Sequence, residues 1–241
     1  MKLLCILSAL LLVVVLAYVF KPYIWAAISP IAMKFIKSKT VAERLVQFGD
    51  AARERWKPFF AKAQIAYPPT SLKFVALKDE HLLQVYAAGE TGQSQWIRSY
   101  PILAASGYPG PKLLEGDGQV PDGIYPVESL NPNSRFHLAL RVGYPNTFDC
   151  AQAEKDGRTQ LGGDIMIHGS SVSVGCLAMG DEAAEDLFVL AADVGLTNIT
   201  VIITLWISEK ENQSPSRPSY PSGRMRCMRK SKRNLLNCRR N

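Results

Sequence analysis

Residues 165–188 read IMIHGSSVSVGCLAMGDEAAEDLF. The stretch passes from an apolar strand through a Ser/Gly-rich loop into a helix, and its two ends set the fold class. Asp164–His168 has the pattern of a strand that stops on Gly169, so His168 stands where a side chain can emerge at a sheet edge. Asp181 to Val194 is helical in pattern: Asp181 is placed to cap it, and Ala184, Leu187, Phe188 and Ala191 supply an apolar face. Cys176 lies in the loop between them. A thiol just ahead of a helix has its thiolate favoured by the positive end of that helix, and a neighbouring imidazole can take the thiol proton. Gly175 leaves room for a carbonyl substrate to approach, and the amide of Cys176 with its neighbours offers an oxyanion hole. By spacing alone, a buried structural cysteine and a histidine satisfied by backbone are much the commoner reading.

Working outward, the patterns at Leu72–Leu77, Leu82–Ala88, Trp96–Ala105, Phe136–Val142 and Ile199–Ile207 predict strands. Turns are expected at Lys78–His81 and Gly89–Ser94, with His81 on the turn surface. Val41, Leu45, Phe48, Ala52 and Trp56 recur at helical spacing behind a Thr40/Glu43 capping box, and Pro58 is expected to end that helix. Mostly strands with one inserted helix predicts a mainly β, α+β fold and not a dinucleotide-binding α/β fold. Tyr144, Asn146 and Asp149 in GYPNTFD are candidates for lining a cleft, with a structural turn around Pro145 as the alternative. His137 alternates with apolar residues, which suits a structural role.

Leu3 to Phe20 carries no charge and follows Lys2, and at about 1.5 Å per residue it is long enough to cross a bilayer. It predicts an N-terminal anchor, with export and cleavage as the alternative. The +7 net charge belongs to the far end: residues 209–241 hold ten Lys/Arg against two Glu, leaving the rest near neutral. That tail is Ser-, Pro- and Arg-rich and is expected to be a basic disordered segment. A basic tail on a neutral body gives no reason to expect nucleic-acid binding by the fold. The five cysteines have no CxxC pair or zinc-like spacing, so neither a disulfide framework nor a metal site is expected, and Cys150 reads as an inert thiol. No phosphate-cradling loop or dinucleotide fingerprint is present, and no cofactor is expected.

Taken together, IxIHG followed by SxGC resembles the active-site signature of the L,D-transpeptidase (YkuD-type) catalytic domain. GPKLLEGDGQVPDGIYPV, LNPNSRFHL, GYPNTFD and HGSSVSVGCLAM resemble its murein L,D-transpeptidase/endopeptidase (YafK-like) branch over roughly residues 67–204. The resemblance implies a β-sandwich catalytic domain with Cys176 as nucleophile, His168 as base and the Gly169 carbonyl orienting the imidazole. Ser173 matches the Ser/Thr of the motif. Val174 replaces the usual His, Ala178 stands where many members have Arg, and the loop from His168 to Ser173 is short. The implied organisation is a membrane anchor (1–21), a helical linker (22–66), the catalytic domain (67–208) and the basic tail (209–241). The implied activity is thioester chemistry on peptidoglycan stem-peptide amides, in cell-wall and cell-shape maintenance. It would take place in the periplasm beside the inner membrane, and a wall-linked lipoprotein is a further implied partner. The alternative from another class is a non-catalytic wall-binding or scaffold protein with a degenerate cleft.

Overall fold

The computed structural model describes residues 38–108 and 110–205; the apolar N-terminal run and the basic tail lie outside the described residues. The order is α1 (Val41–Ala63), β1 (Ser71–Leu77), β2 (Leu82–Ala88), β3 (Ser94–Pro101), β4 (Gly123–Ser134) and β5 (His137–Val142). There follow α2 (Thr147–Lys155), β6 (Met166–His168), β7 (Leu177–Ala178), α3 (Asp181–Val194), a 3₁₀ turn (Leu196–Asn198) and β8 (Ile199–Thr204). The strands make one mixed ladder in the order β3-β2-β1-β8-β4-β5-β6-β7. β8 pairs parallel with β1 and β7 parallel with β6; the other pairings are antiparallel. A mixed sheet with few helices is the α+β class expected. Among the described residues no helix is long and apolar enough to cross a membrane.

β4 joins the two halves of the ladder. Gly123–Pro126 pairs with β8, whereas Val127–Ser134 pairs with β5. Pro126 sits at the hand-over, where a residue without an N–H is tolerated because the strand is changing partners. The Pro and Asn residues of this stretch read as loop, and the strand was visible only in the family-like GIYPV.

α1 opens on the capping box read from sequence: Thr40 Oγ1 accepts the Glu43 amide at 3.1 Å, and the Thr40 amide donates to the Glu43 carboxylate at 2.7 Å. It does not stop at Pro58 but runs to Ala63. Pro58 and Glu54, the residue whose carbonyl loses its helical partner, are on the exposed side, so water can serve that carbonyl. On the other side Trp56 and Phe60 are buried, and that burial holds the helix through the break. Trp56 Nε1 also donates to the Asp186 carbonyl of α3 at 2.9 Å. Asp186 itself is fully buried, accepting from Arg55 Nε (2.6 Å), Tyr100 Oη (2.8 Å) and Arg98 Nη1 (3.3 Å). The segment expected as a linker thus shares the core of the strand body through one buried carboxylate.

α3 spans the residues predicted, but its N-cap is Gly180, with no side-chain cap. Asp181 points elsewhere: its Oδ1 accepts the Ser170 amide at 2.7 Å and pins the loop after β6. α3 ends at Gly195, which takes a positive φ of 84°.

Candidate active site

β6 and β7 are three and two residues long, and their parallel pairing sets Ile167 opposite Leu177 and His168 opposite Ala178. Cys176 immediately precedes β7, so strand alternation turns it toward the side of the sheet that carries His168. It is not at a helix start: β7 and Gly180 separate it from α3, and the expected help from the helix dipole is absent, since that effect fades within the first turn.

His168 is 1% exposed and stacks on Phe136 with ring centroids 4.7 Å apart. Its Nδ1 lies 2.6 Å from the Gly169 carbonyl oxygen, so that nitrogen carries the proton and donates. Nε2 is left as an acceptor, buried and without a hydrogen-bond partner. Burial pushes the His168 pKa down against a smaller upward pull from the Gly169 hydrogen bond, so the ring is neutral. Gly169 cannot be larger: a Cβ there would lie 2.6 Å from Asp181 Oδ1, 2.8 Å from the Phe136 carbonyl oxygen and 2.9 Å from His137 Cβ.

The Cys176 thiol donates to the Asp164 carbonyl oxygen at 3.5 Å, not to His168. Burial pushes its pKa up, a backbone hydrogen bond from Met166 pulls it down, the Asp164 charge raises it and the Lys112 ammonium lowers it. Resting thiol and resting imidazole are therefore both uncharged.

Ser173 and Gly175 are committed to the protein. Ser173 Oγ accepts the Cys176 amide at 3.0 Å and donates to the Cys176 carbonyl at 2.7 Å. The Gly175 amide donates to Ser106 Oγ at 2.5 Å, and Ser106 donates in turn to the Gly118 carbonyl at 2.6 Å. Gly175 has φ +79° and backs onto Gly118–Gln119. Both amides named for an oxyanion hole are thus occupied, and Gly175 meets a loop instead of open space.

Tyr144, Asn146 and Asp149 are each engaged by the protein itself. Tyr144 is buried, edge-on to Tyr125 at 5.9 Å. Asn146 is the N-cap of α2, accepting from the Phe148 and Asp149 amides, and Asp149 completes the box by accepting the Asn146 amide at 2.9 Å. Asn146 and Asp149 thus form a helix cap that sequence reading missed, and the Tyr144 hydroxyl donates to the Lys112 and Leu161 carbonyls at 3.4 and 3.5 Å. His137 is structural, reaching Glu185 at 2.9 Å, and His81 sits on the exposed turn. Cys150 is disulfide-bonded and not the inert thiol expected; Cys176 is the free cysteine among the described residues.

Sequence reasoning did not single out Ser106, Lys112 or Asp117. Lys112 is buried and donates to Asp117 (2.7 Å) and to the Leu114 carbonyl (2.8 Å). Asp117 also takes the Leu113, Leu114 and Gln119 amides, which, with Lys112, hold its pKa at about 2 despite burial. Lys78 clasps the same loop through Gly110, Val120 and Asp122. These lysines turn a Gly/Pro-rich segment into a fixed wall of the site. GPKLLEGD carried the signal, since a Lys and an Asp separated by Gly mark a turn that can close on itself. Among the described residues no group of His, Cys, Asp and Glu is gathered to hold a metal ion.

With this geometry established, the chain matches the protein of Escherichia coli K12 named "Putative L,D-transpeptidase YafK" with 36% identity over 130 residues. The chain is similar to YafK over that stretch. The match covers 53% of this chain and 49% of YafK, so the chain spans about half the length of the curated relatives it matches. No family model matches. Among solved structures, the helical cell shape determining protein Pgp2 of Campylobacter jejuni is 25% identical, over 58% of this chain and 52% of that one, with a TM-score of 0.44. L,D-transpeptidase 1 of Mycobacterium tuberculosis is 18% identical, over 56% and 62%, with a TM-score of 0.33.

Proposed function

We propose that the protein is a peptidoglycan-modifying cysteine enzyme that opens stem-peptide amides through a thioester on Cys176. The observation that carries this reading is a buried imidazole whose Nδ1–H is tied to Gly169 while Nε2 is left without a partner, with Cys176 turned to the same side of the sheet by strand alternation. Rotation of the Cys176 side chain from the Asp164 carbonyl toward Nε2 starts the reaction. Nε2 takes the thiol proton as sulfur attacks the amide carbon. The imidazolium returns that proton to the departing amine as the C–N bond breaks, leaving a thioester. Water or a second amine then gives a proton to Nε2 and attacks the thioester, and the proton returns to the Cys176 sulfur. Water makes the enzyme a hydrolase; an amine makes it a transpeptidase.

The loop from His168 to Ser173 is short and is tied down by Asp181 and by Ser173 itself. We therefore favour hydrolysis or release of a wall-linked protein over crosslinking. The sheet is read as the β-sandwich of the L,D-transpeptidase catalytic domain. The N-terminal apolar run is read as an inner-membrane anchor for a periplasmic body.

The test is incubation of the full chain and its Cys176→Ala variant with purified muropeptides, with products and intact protein followed by mass spectrometry. The reading expects new products and a mass adduct on Cys176 in the unsubstituted protein alone. Identical product patterns from the two proteins would sink it.

A further inference from the structure

Arg141 lies on β5 opposite Met166 of β6, and β6 lies beside β7. Two strand spacings of about 4.8 Å put Arg141 on the order of 10 Å from the thiol-bearing segment. Its guanidinium is divided between two carboxylates: Nη1 is 2.7 Å from Asp164 Oδ1 and Nε is 3.0 Å from Glu128 Oε2. Asp164 is also the residue whose carbonyl holds the Cys176 thiol, and it does so with a left-handed φ of 56°. Cation and thiol therefore meet on one residue.

The side chains of Arg141, Glu128 and Asp164 are 40%, 56% and 76% exposed. Ion pairs this open are weak, so an incoming carboxylate can exchange with either partner. Lys112, whose charge acts on the thiol, is buried and already donates to Asp117 and to the Leu114 carbonyl. Arg141 is thus the cation at this site that a ligand can reach, and its fork suits a carboxylate.

We infer that Arg141 is the carboxylate-binding residue of the site. It takes a free carboxylate of the peptide in exchange for Asp164, and so selects amide donors that carry a carboxylate next to the bond being opened. This rests on the reading of Cys176 as a nucleophile toward stem-peptide amides, and adds the feature by which those amides are chosen.

The test uses a stem tetrapeptide with a free terminal carboxylate and the same peptide as its terminal amide. Binding of each is measured in the Cys176→Ala background, so that turnover is not needed. Arg141→Gln should weaken binding of the acid about 10- to 100-fold, as expected for a lost charge-assisted pair. The loss for the amide should be distinctly smaller, and Arg141→Lys should fall between. Asp164→Asn, which removes the competing carboxylate, should tighten the acid, a change of opposite sign that a merely structural role does not produce. In turnover, Arg141→Gln should raise KM for the acid much more than it lowers kcat. Equal binding of acid and amide without the arginine substitution, or equal losses on both, overturns the inference, as does failure to bind either. The unsubstituted arginine already decides the acid/amide comparison if Arg141→Gln does not fold. Acid-selective binding with no acyl adduct on Cys176 keeps this inference and removes the chemical reading.

Discussion

The Cys176 thiol rests on the carbonyl oxygen of Asp164 at 3.5 Å, with no hydrogen bond to His168. Burial raises the thiol pKa and lowers that of the imidazole, so the resting pair holds its proton on sulfur. The thiolate then appears only as pH rises through a value above the ordinary thiol pKa of about 8.5. Alkylation of Cys176 by iodoacetamide, read by peptide mass spectrometry from pH 5 to 11, should keep climbing past pH 9. A half-maximum below pH 7 would show a preformed thiolate–imidazolium pair instead.

Gly169→Ala tests the backbone behind the imidazole. The new methyl meets the Phe136 carbonyl and His137 Cβ, neither of which is the flexible end of a side chain. A loss of about 2–3 kcal/mol in urea unfolding is expected, as for overpacking in a tight interior. The His168 ring shifts with its carbonyl anchor, so Cys176 acylation should fall as well. Full stability in the alanine variant would contradict the close packing.

Ser173 brackets both backbone polar groups of Cys176. Ser173→Ala should cost about 1 kcal/mol for the lost hydrogen bonds and slow Cys176 acylation roughly tenfold through misplacement of the thiol. Ser173→Thr, which keeps the hydroxyl, should recover much of the rate. If the alanine variant acylates as fast as its parent, the hydroxyl has no part in placing the nucleophile.

Asp186 ties α1, β3 and α3 together from a fully buried position. Asp186→Ala leaves Arg55 and Arg98 without their shared carboxylate and should destabilise the body by about 3–5 kcal/mol. For a body of this size that lowers the thermal midpoint by roughly 6–20 °C, measurable by circular dichroism. A change of a degree or two would mean that α1 is held by its apolar face alone.

Strong periodicity was legible and weak periodicity was not. α3 and β2 have the bounds expected because their apolar faces are complete within the segment. β4 was hidden because Pro126, Pro132 and the Asn residues carry turn propensity, and only the change of partner strand makes Pro126 acceptable there. GYPNTFD admitted two readings for a related reason: short polar residues serve turns, caps and binding sites alike. The neighbourhood of His168 and Cys176 depends on pairing between strands too short to show any period, so motif wording revealed it and spacing did not. Arg141 had no local signal, since its relation to Cys176 runs through the register of three strands.

The position of β8 has a consequence for biosynthesis. It is the last strand in the chain among those described, yet it lies in the interior of the ladder, between β1 and β4. The hairpins on one flank and the thiol-bearing strands on the other join through it and through a small bridge between Ala104 and Ala178. Until residues 199–204 have been made, β1 and β4 each keep an edge open where β8 will pair.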